Sequence, residues 1–341
     1  MENIFMATNT WLQGSIWGEP EPIIHPLDII QSRQLNTSMP IVVSYGGGKN
    51  STAVLLLLWK LGIKPDLILF ADTGGELPAT YEYIQMFSAW LQEVGFPEIT
   101  TTRRRVSGFS DTRKPYVYSR SRFEYLLKLS MVTSWFSTPL LPYILWLWRV
   151  TSLQFETLEQ HALITQTLPS IAYGKKACSV QWKIEPQHEY VEAWKRDRGY
   201  VGKTQKLIGI HAGEKSRVLG NPNKLEDKDY VYHYPLIQYK LDDLACVALI
   251  SSCGLPVPPK SSCFFCPNRR VKEVLNLPEE LRLRGEMIES VAMRSHNWRG
   301  SLSITPGLGR TFAWADIDAL TELERAGLDY RKQSRNCGCI D

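Results

Sequence analysis

Apolar runs of two lengths alternate along the first third of the chain. Short runs rich in β-branched and apolar residues are typical of buried strands, and longer runs with helical periodicity are typical of helices. Strands are predicted at residues 41–45, 66–71 and 98–102, and helices at residues 51–61 and 78–94. This order predicts a doubly wound α/β fold with a mostly parallel sheet, because each crossover helix returns the chain to the same sheet.

The later pattern is less regular and suggests an insertion and a helical end. Helices are predicted at residues 185–198, 241–252 and 278–296, and strands at residues 205–210 and 231–237. We therefore expect an irregular N-terminal arm over residues 1–39 and an α/β domain over residues 40–275. Within that domain, residues 103–150 are predicted to be an insertion. Residues 276–341 are predicted to form a helical C-terminal unit with a cysteine-containing tail.

The composition excludes some classes of protein but does not indicate a function. Hydrophobic residues make up 44% and charged residues 22% of the 341 residues, which excludes a wholly disordered chain. The net charge of +4 permits a nucleic-acid or nucleotide partner without requiring one. The first twenty residues do not resemble a secretory signal, so we expect a cytoplasmic protein. The uncharged segment at residues 129–148 is interrupted by prolines, so no membrane span is expected. It is predicted to be buried or covered by a partner, a second copy of the chain being one option, with peripheral membrane contact as the alternative.

The most informative segment follows the first predicted strand. Glycines let backbone N–H groups turn toward a ligand, and the start of the next helix adds unpaired N–H groups and a positive dipole end. A lysine and two hydroxyls complete a set of groups suited to phosphate. The segment comprises Ser44, Tyr45, Gly46, Gly47, Gly48, Lys49, Asn50, Ser51 and Thr52. The alternative interpretation is a glycine-rich turn that binds nothing.

A second polar run follows the second predicted strand. It contains Asp72, Thr73, Gly74 and Glu76, in the position where parallel strands line a ligand crevice. Asp72 and Thr73 are therefore candidates to hold an adenine, a ribose or Mg²⁺. The alternative is that Thr73 or Thr80 is an ordinary helix cap.

These motifs resemble the PP-loop ATPases, whose loop is written S-G-G-x-D-S, and within that superfamily the phosphoadenosine phosphosulfate (PAPS) reductase family. Gly46 stands in the place of the serine and Asn50 in that of the aspartate, which retains the hydrogen-bonding shape but not the charge. Three further segments fit the resemblance: the one with Cys178 and Lys183, the one with Glu214 and Arg217, and Cys263-x-x-Cys266. The resemblance covers about residues 41–270, apart from the insertion.

The resemblance implies an adenine nucleotide α-hydrolase fold that binds ATP and Mg²⁺. It implies that Lys49, Asp72, Lys183 and Arg217 are catalytic, and that the loop residues with Asp72, Thr73 and Gly74 bind the nucleotide. Substrate contacts are expected from Glu76, Glu214 and Arg104. For each charged residue, a solvated or salt-bridged surface position is the alternative.

The seven cysteines favour metal binding or redox chemistry over a secreted disulfide framework, because their number is odd. The C-x-x-C spacing is that of a metal knuckle. By resemblance, Cys178 is the third ligand, and a [4Fe–4S] cluster or Zn²⁺ is the expected metal. Cys253, Cys337, Cys339 or a small ligand would supply the fourth. The alternative is a set of reduced core cysteines.

Arginines and aromatic residues are interleaved from Arg103 into the insertion, a pattern that fits phosphate contacts and base stacking. The segment indicates either a DNA or RNA partner or a solvated basic loop.

Three functions remain open on the sequence. The first is ATP cleavage between the α and β phosphates for sulfur transfer or nucleic-acid modification, with a sulfur-donor protein as a candidate partner. The second is sulfonucleotide reduction that uses the cysteine tail. The third is nucleotide sensing with a protein partner and no catalysis.

Overall fold

The computed structural model describes residues 26–36, 38–104, 157–174, 177–219, 225–298 and 306–318. The predicted insertion beyond Arg104, most of the predicted arm and the cysteine tail lie outside these residues. No helix among the described residues has the length and apolar character needed to cross a membrane.

Five parallel strands form one sheet in the order β3-β2-β1-β4-β5. In the central strand, Val43 lies opposite Ile68 on one side and opposite Leu207 on the other. This order confirms the predicted doubly wound α/β fold, because the chain moves outward from β1 in both directions. The strands are β1 (Ile41–Tyr45), β2 (Leu67–Ala71), β3 (Ile99–Thr102), β4 (Thr204–Ile208) and β5 (Tyr230–His233).

Eleven α-helical segments accompany the sheet in the described residues. A π-helical turn, Val180–Ile184, joins the fifth to the sixth, and Ser170–Tyr173, Ala212–Glu214 and Trp314–Asp316 are 3-10 turns. The helices are α1 (Pro26–Ser32), α2 (Lys49–Lys60), α3 (Pro78–Glu93), α4 (Leu158–Thr165), α5 (Ala177–Ser179), α6 (Glu185–Asp197), α7 (Ser216–Leu219), α8 (Pro235–Gln238), α9 (Asp243–Ser252), α10 (Val271–Leu275) and α11 (Glu279–Trp298).

The two faces of the sheet bury different sets of residues. Ile41, Val43 and Tyr45 of β1 pack in a large core with apolar residues of α2, α3 and α9. Val42, between them, points to the opposite face and packs with Val191 of α6. The alternation follows from the period of two along a strand, and helices on both faces explain why β1 is mostly apolar. The helices cover the two faces of the sheet, so a site can form at the carboxyl ends of its strands.

A second apolar core lies outside the sheet. It joins α4, Trp182 and the segment around Phe264 to α10 and α11, and Trp314 and Trp182 are each 1% exposed within it. The predicted C-terminal helical unit thus contains a long helix, α11, whose buried residues share one core with earlier segments. The exact domain boundaries stay a prediction.

Two predictions of local structure were wrong. Residues 26–32 of the predicted irregular arm form α1, whose Ile30 packs in a small core with Tyr234 and Ile237. The strand predicted at residues 231–237 ends at His233, and Pro235 begins α8 instead. Proline has no N–H to donate to a strand ladder, and its fixed φ suits the first turn of a helix.

Candidate functional site

The glycine-rich loop connects β1 to α2 at the carboxyl end of the central strand. Gly47 has a φ of +73°, a left-handed conformation that favours glycine. Gly48 is the N-cap residue of α2 in an extended conformation, and no side-chain hydrogen bond to this N-cap is found within the described residues. The first turn of a twelve-residue helix therefore presents N–H groups and the positive end of its dipole to the crevice.

Gly47 and Gly48 of the loop are closely enclosed, which explains why neither carries a side chain. A β-carbon added to Gly47 would lie 2.9 Å from Thr80 Cγ2, and one added to Gly48 would lie 2.6 Å from Ser261 Oγ. A β-carbon on Gly209, after β4, would lie 2.7 Å from the backbone nitrogen of Ser51. Segments after β1, β2 and β4, together with Ser261, thus converge on the start of α2.

The loop hydroxyls hold the loop together. The Gly46 N–H donates to Ser51 Oγ at 3.1 Å, and the Ser51 hydroxyl donates to the Gly48 carbonyl at 3.0 Å. Thr52 Oγ1 lies 3.3 Å from the buried Tyr45 hydroxyl, and burial strongly raises the pKa of Tyr45. In the described residues, Ser51, Thr52 and Tyr45 therefore have structural contacts within the loop region.

Ser44 and Asn50 differ in how their polar atoms are used. The Ser44 hydroxyl donates to Gln187 Oε1 at 2.8 Å and so ties β1 to α6. Asn50 Oδ1 is buried and has no hydrogen-bond partner within the part of the chain that the structure describes. A buried amide oxygen without a partner costs free energy, so Asn50 is a candidate for a ligand contact.

Charged residues form a chain of contacts beside the loop. Lys49 Nζ lies 2.5 Å from Asp243 Oδ1 at the start of α9, and His211 Nε2 lies 3.9 Å from the same oxygen. His211 also lies 3.5 Å from Glu214 Oε2, and Glu214 Oε1 lies 3.0 Å from Arg217 Nη1. The structure therefore brings Lys49, Glu214 and Arg217 into one network, with each cation next to a carboxylate.

Asp72 lies at the end of β2 and is 2% exposed. Its Oδ1 accepts hydrogen bonds of 2.7 Å from the Gly74 N–H and the Tyr81 hydroxyl. Its Oδ2 accepts from Arg103 Nε at 2.9 Å and Nη2 at 2.7 Å. Four donors thus occupy the carboxylate, so its present role is to fix the turn at Gly74 and the end of β3.

Thr73 and Glu76 extend the crevice toward the cysteines. Thr73 Oγ1 lies 3.0 Å from Cys263 Sγ, and Glu76 pairs with Cys263 in an isolated antiparallel bridge. Lys183 Nζ lies 3.4 Å from Glu76 Oε1, whereas Glu76 Oε2 is buried and has no hydrogen-bond partner among the described residues. Glu76 is 4% exposed, so an unsatisfied oxygen at this position is costly unless a ligand supplies a donor.

The three cysteines predicted to bind a metal lie in the same apolar cluster. Burial strongly raises the pKa of Cys263 and also raises that of Cys266, where the neighbouring Cys178 thiol adds to the effect. No group of three His, Cys, Asp or Glu side chains in the described ranges is arranged to hold a metal ion. Cys178, Cys263 and Cys266 as placed therefore do not form a metal or cluster site by themselves, and Cys337 and Cys339 lie outside the described residues.

Arg104 lies apart from the loop. Its guanidinium stacks over the Trp182 ring at 5.1 Å and donates to Gln181 Oε1 at 3.2 Å. Burial lowers its pKa, and burial followed by the charge of Arg104 lowers the pKa of His161 to about 4. The predicted substrate role of Arg104 stays a prediction, because these contacts belong to the second core.

Several residues of the site were missed by the sequence reasoning. Asp242 caps α9 by accepting from the Ala245 N–H at 2.8 Å. In the sequence, Asp242 and Asp243 therefore indicate only the start of a helix. Ser261 precedes the C-x-x-C motif and carries no signal of its own. Spacing along the chain does not show that either one lies at the loop after β1.

Together the fold and the loop define a doubly wound α/β protein with a glycine-rich loop at the switch point of its sheet. Residues 40–134 match the family model of the phosphoadenosine phosphosulfate reductase domain, which confirms the predicted resemblance over that segment. No curated protein matches the chain. Among solved structures, it is similar to the U34-tRNA thiolase NcsA from Methanococcus maripaludis with its [4Fe-4S] cluster, at 12% identity over 92% of this chain and 78% of that one. The TM-score is 0.34.

Proposed function

We propose that the protein is an ATP-binding PP-loop enzyme that cleaves ATP between the α and β phosphates. The product would be an adenylated substrate. Sulfur transfer or another modification would follow at the adenylated position, for which a nucleic acid is one candidate substrate. The observation that carries the proposal is the first turn of α2, which has no side-chain cap among the described residues and lies after a glycine loop, beside the Lys49 and Arg217 network. This arrangement combines oriented N–H groups with cations, as polyphosphate binding requires.

In the proposed reaction, a substrate oxygen attacks the α phosphorus and the bond from that phosphorus to the bridging oxygen breaks. Pyrophosphate leaves with the bonding electron pair. The N–H groups of the α2 first turn bind the phosphate oxygens. Lys49 leaves Asp243 as ATP binds, so it is already in place to stabilise the charge that develops on the leaving pyrophosphate, which is preorganised electrostatic catalysis. Mg²⁺ would enter with the ATP phosphates.

Glu76 and Lys183 are proposed to position the acceptor. Glu76 has a buried oxygen without a partner among the described residues, and Lys183 lies next to its other oxygen. A hydrogen-bond donor on the acceptor would satisfy the buried oxygen and so gain specificity. A DNA or RNA acceptor, a sulfur-donor protein and a homo-oligomer remain predictions.

The experiment is product analysis with α-labelled ATP, the full chain and candidate acceptors. AMP or an adenylated acceptor together with pyrophosphate is the expected result. ADP as the sole product would overturn the proposal, and tight binding without any turnover would favour the nucleotide-sensing function instead.

Sulfonucleotide reduction is a second candidate, because the matching family model is that of a reductase domain and the Cys263 thiol lies beside Thr73 and Glu76, in the same apolar core as Cys178 and Cys266. It predicts thiol-dependent sulfite release from a sulfonucleotide, and loss of that release in Cys337→Ser. Failure to release sulfite from either adenylyl or phosphoadenylyl sulfate would remove this candidate.

A further inference from the structure

Ser261 occupies the space that a side chain of the α2 N-cap residue would fill. Its Oγ lies 2.6 Å from the position of a β-carbon on Gly48 and 3.9 Å from that of a β-carbon on Gly46. An N-cap side chain normally places an oxygen beside the free N–H groups of the first turn. At α2 the N-cap is glycine, and the hydroxyl of a distant segment lies next to the position that a cap side chain would take.

Ser261 is held in this place from both sides. After it, the Phe264 N–H donates to the Gly75 carbonyl at 2.7 Å, and Arg269 donates to the carbonyls of Cys263 and Ser262 at 3.2 and 3.3 Å. Before it, Lys260 forms an ion pair of 2.9 Å with Glu273. A hydroxyl on a segment pinned in this way loses little conformational entropy when it binds a ligand.

Not every buried polar side-chain atom in the segments next to Ser261 has a hydrogen-bond partner among the described residues. Ser262 Oγ and Asn50 Oδ1 are buried without a hydrogen-bond partner in the described residues, and Thr80 Oγ1 is also buried and without one. Thr80 is fully buried, and its methyl group faces Gly47. Asn50 belongs to the first turn of α2, Ser262 follows Ser261 and Thr80 contacts Gly47, so these residues, each with an unsatisfied polar atom among the described residues, belong to the segments that meet at the start of α2.

We propose that Ser261 is a further phosphate-binding residue, whose hydroxyl donates to the same phosphate that the first turn of α2 binds. A hydroxyl can donate to an anion while the neighbouring N–H groups do the same, so the two do not compete. Ser261 would also return a hydroxyl to the side of the loop where Gly46 stands in place of the serine of the PP-loop pattern. This inference rests on the proposed function and adds a residue from outside the loop to its phosphate site.

The test is calorimetry on the full chain with ATP, inorganic pyrophosphate and adenosine. Ser261→Ala is expected to weaken ATP and pyrophosphate binding roughly tenfold or more, since it removes a hydrogen bond to a charged group. Adenosine binding and the melting temperature of the unliganded variant should stay unchanged. The matched control is Ser252→Ala, which removes the hydroxyl that bonds Leu249 and Lys60 at the other end of α2.

Equal ATP affinity in Ser261→Ala and the wild type would overturn the inference while leaving the proposed function intact. A lower melting temperature with an unchanged ratio of ATP to adenosine affinity would also overturn it, because it would show that Ser261 only caps the helix. Failure of the wild type to bind either ATP or pyrophosphate would instead remove the proposed function, and this inference with it.

Discussion

Lys49 and Asp243 form an ion pair, with 2.5 Å between Nζ and Oδ1, across the crevice between the starts of α2 and α9. The pair gives the loop cation a protein partner, and hydrogen bonding to Lys49 lowers the pKa of Asp243. Asp243 is 54% exposed, and ion pairs this exposed contribute little to stability. A polyphosphate can therefore take the ammonium group from Asp243 at small cost.

Lys49→Ala should lower turnover of ATP by roughly a hundredfold, because preorganised charge stabilisation of a leaving group commonly contributes that much. Steady-state pyrophosphate release measures the effect. Lys60→Ala is the control, since Lys60 ends the same helix and bonds the exposed Ser252. Similar rates in Lys49→Ala and Lys60→Ala would contradict the role given to Lys49.

Asp243→Asn should strengthen ATP binding by a few-fold at low salt, because it removes a negative charge that competes with phosphate for Lys49. The gain should shrink as ionic strength rises, since exposed charges are screened. Titration calorimetry at two salt concentrations measures this. Glu98→Gln, which removes an exposed carboxylate next to the start of β3, should show no change. Weaker binding in Asp243→Asn would mean that the carboxylate supports the ligand site.

Gly47→Ala should destabilise the protein more than Gly62→Ala. Both glycines have positive φ, so alanine costs about 1 to 2 kcal/mol at each from backbone strain. At Gly47 the added methyl group also meets Thr80 and Ile84, whereas at Gly62 it meets nothing within 4 Å. Urea unfolding gives both free energies of unfolding. Equal losses would show that the loop is not enclosed as described.

Stability should fall as the pH drops from about 6.5 to about 4. Burial lowers the pKa of both His161 and His233 from 6.5 to about 4, so in this window the unfolded chain binds more protons than the folded one. The double variant His161→Gln, His233→Gln should lose less stability than the wild type between pH 7 and pH 5. Thermal unfolding at the two pH values gives the difference, and parallel curves would contradict the assignment.

Cys263 should resist alkylation by iodoacetamide at pH 8 until the protein unfolds. Its thiol is buried and its pKa is raised, so little of the reactive thiolate is present. Cys246, whose pKa burial raises to about 11, should behave in the same way, and the partly exposed Cys253 should react before both. Peptide mass spectrometry reads the order. Metal analysis of the same anaerobic sample separates burial from protection by bound iron or zinc.

The sheet and its helices follow closely from local patterns. β1 lies at the predicted residues 41–45, and α3 begins at the predicted Pro78, because apolar runs and a first-turn proline are signals carried by neighbouring residues. The strand prediction at residues 231–237 was wrong from Pro235 onward, where a helix begins. The apolar run there is compatible with either a strand or a helix. Periodicity alone does not distinguish the two.

The site could be predicted only in part. The loop and its lysine are visible in the sequence because strand, glycines and helix start are contiguous. The four donors that occupy Asp72 come from separate segments, and so do Asp243 and Ser261 at the loop. Contacts of this kind depend on the topology of the sheet, and one sequence does not show them.

Calorimetry with ATP on the wild type and on Gly48→Ala shows whether ATP binds at the Gly46–Gly48 loop. Gly48 has an extended backbone that any residue adopts, so the variant should fold, while its added methyl group displaces Ser261 and narrows the space beside the loop. The wild type should give clear heat of binding, and Gly48→Ala should bind ATP much more weakly. No heat with the wild type, or equal affinity in both proteins, would rule out binding at this loop.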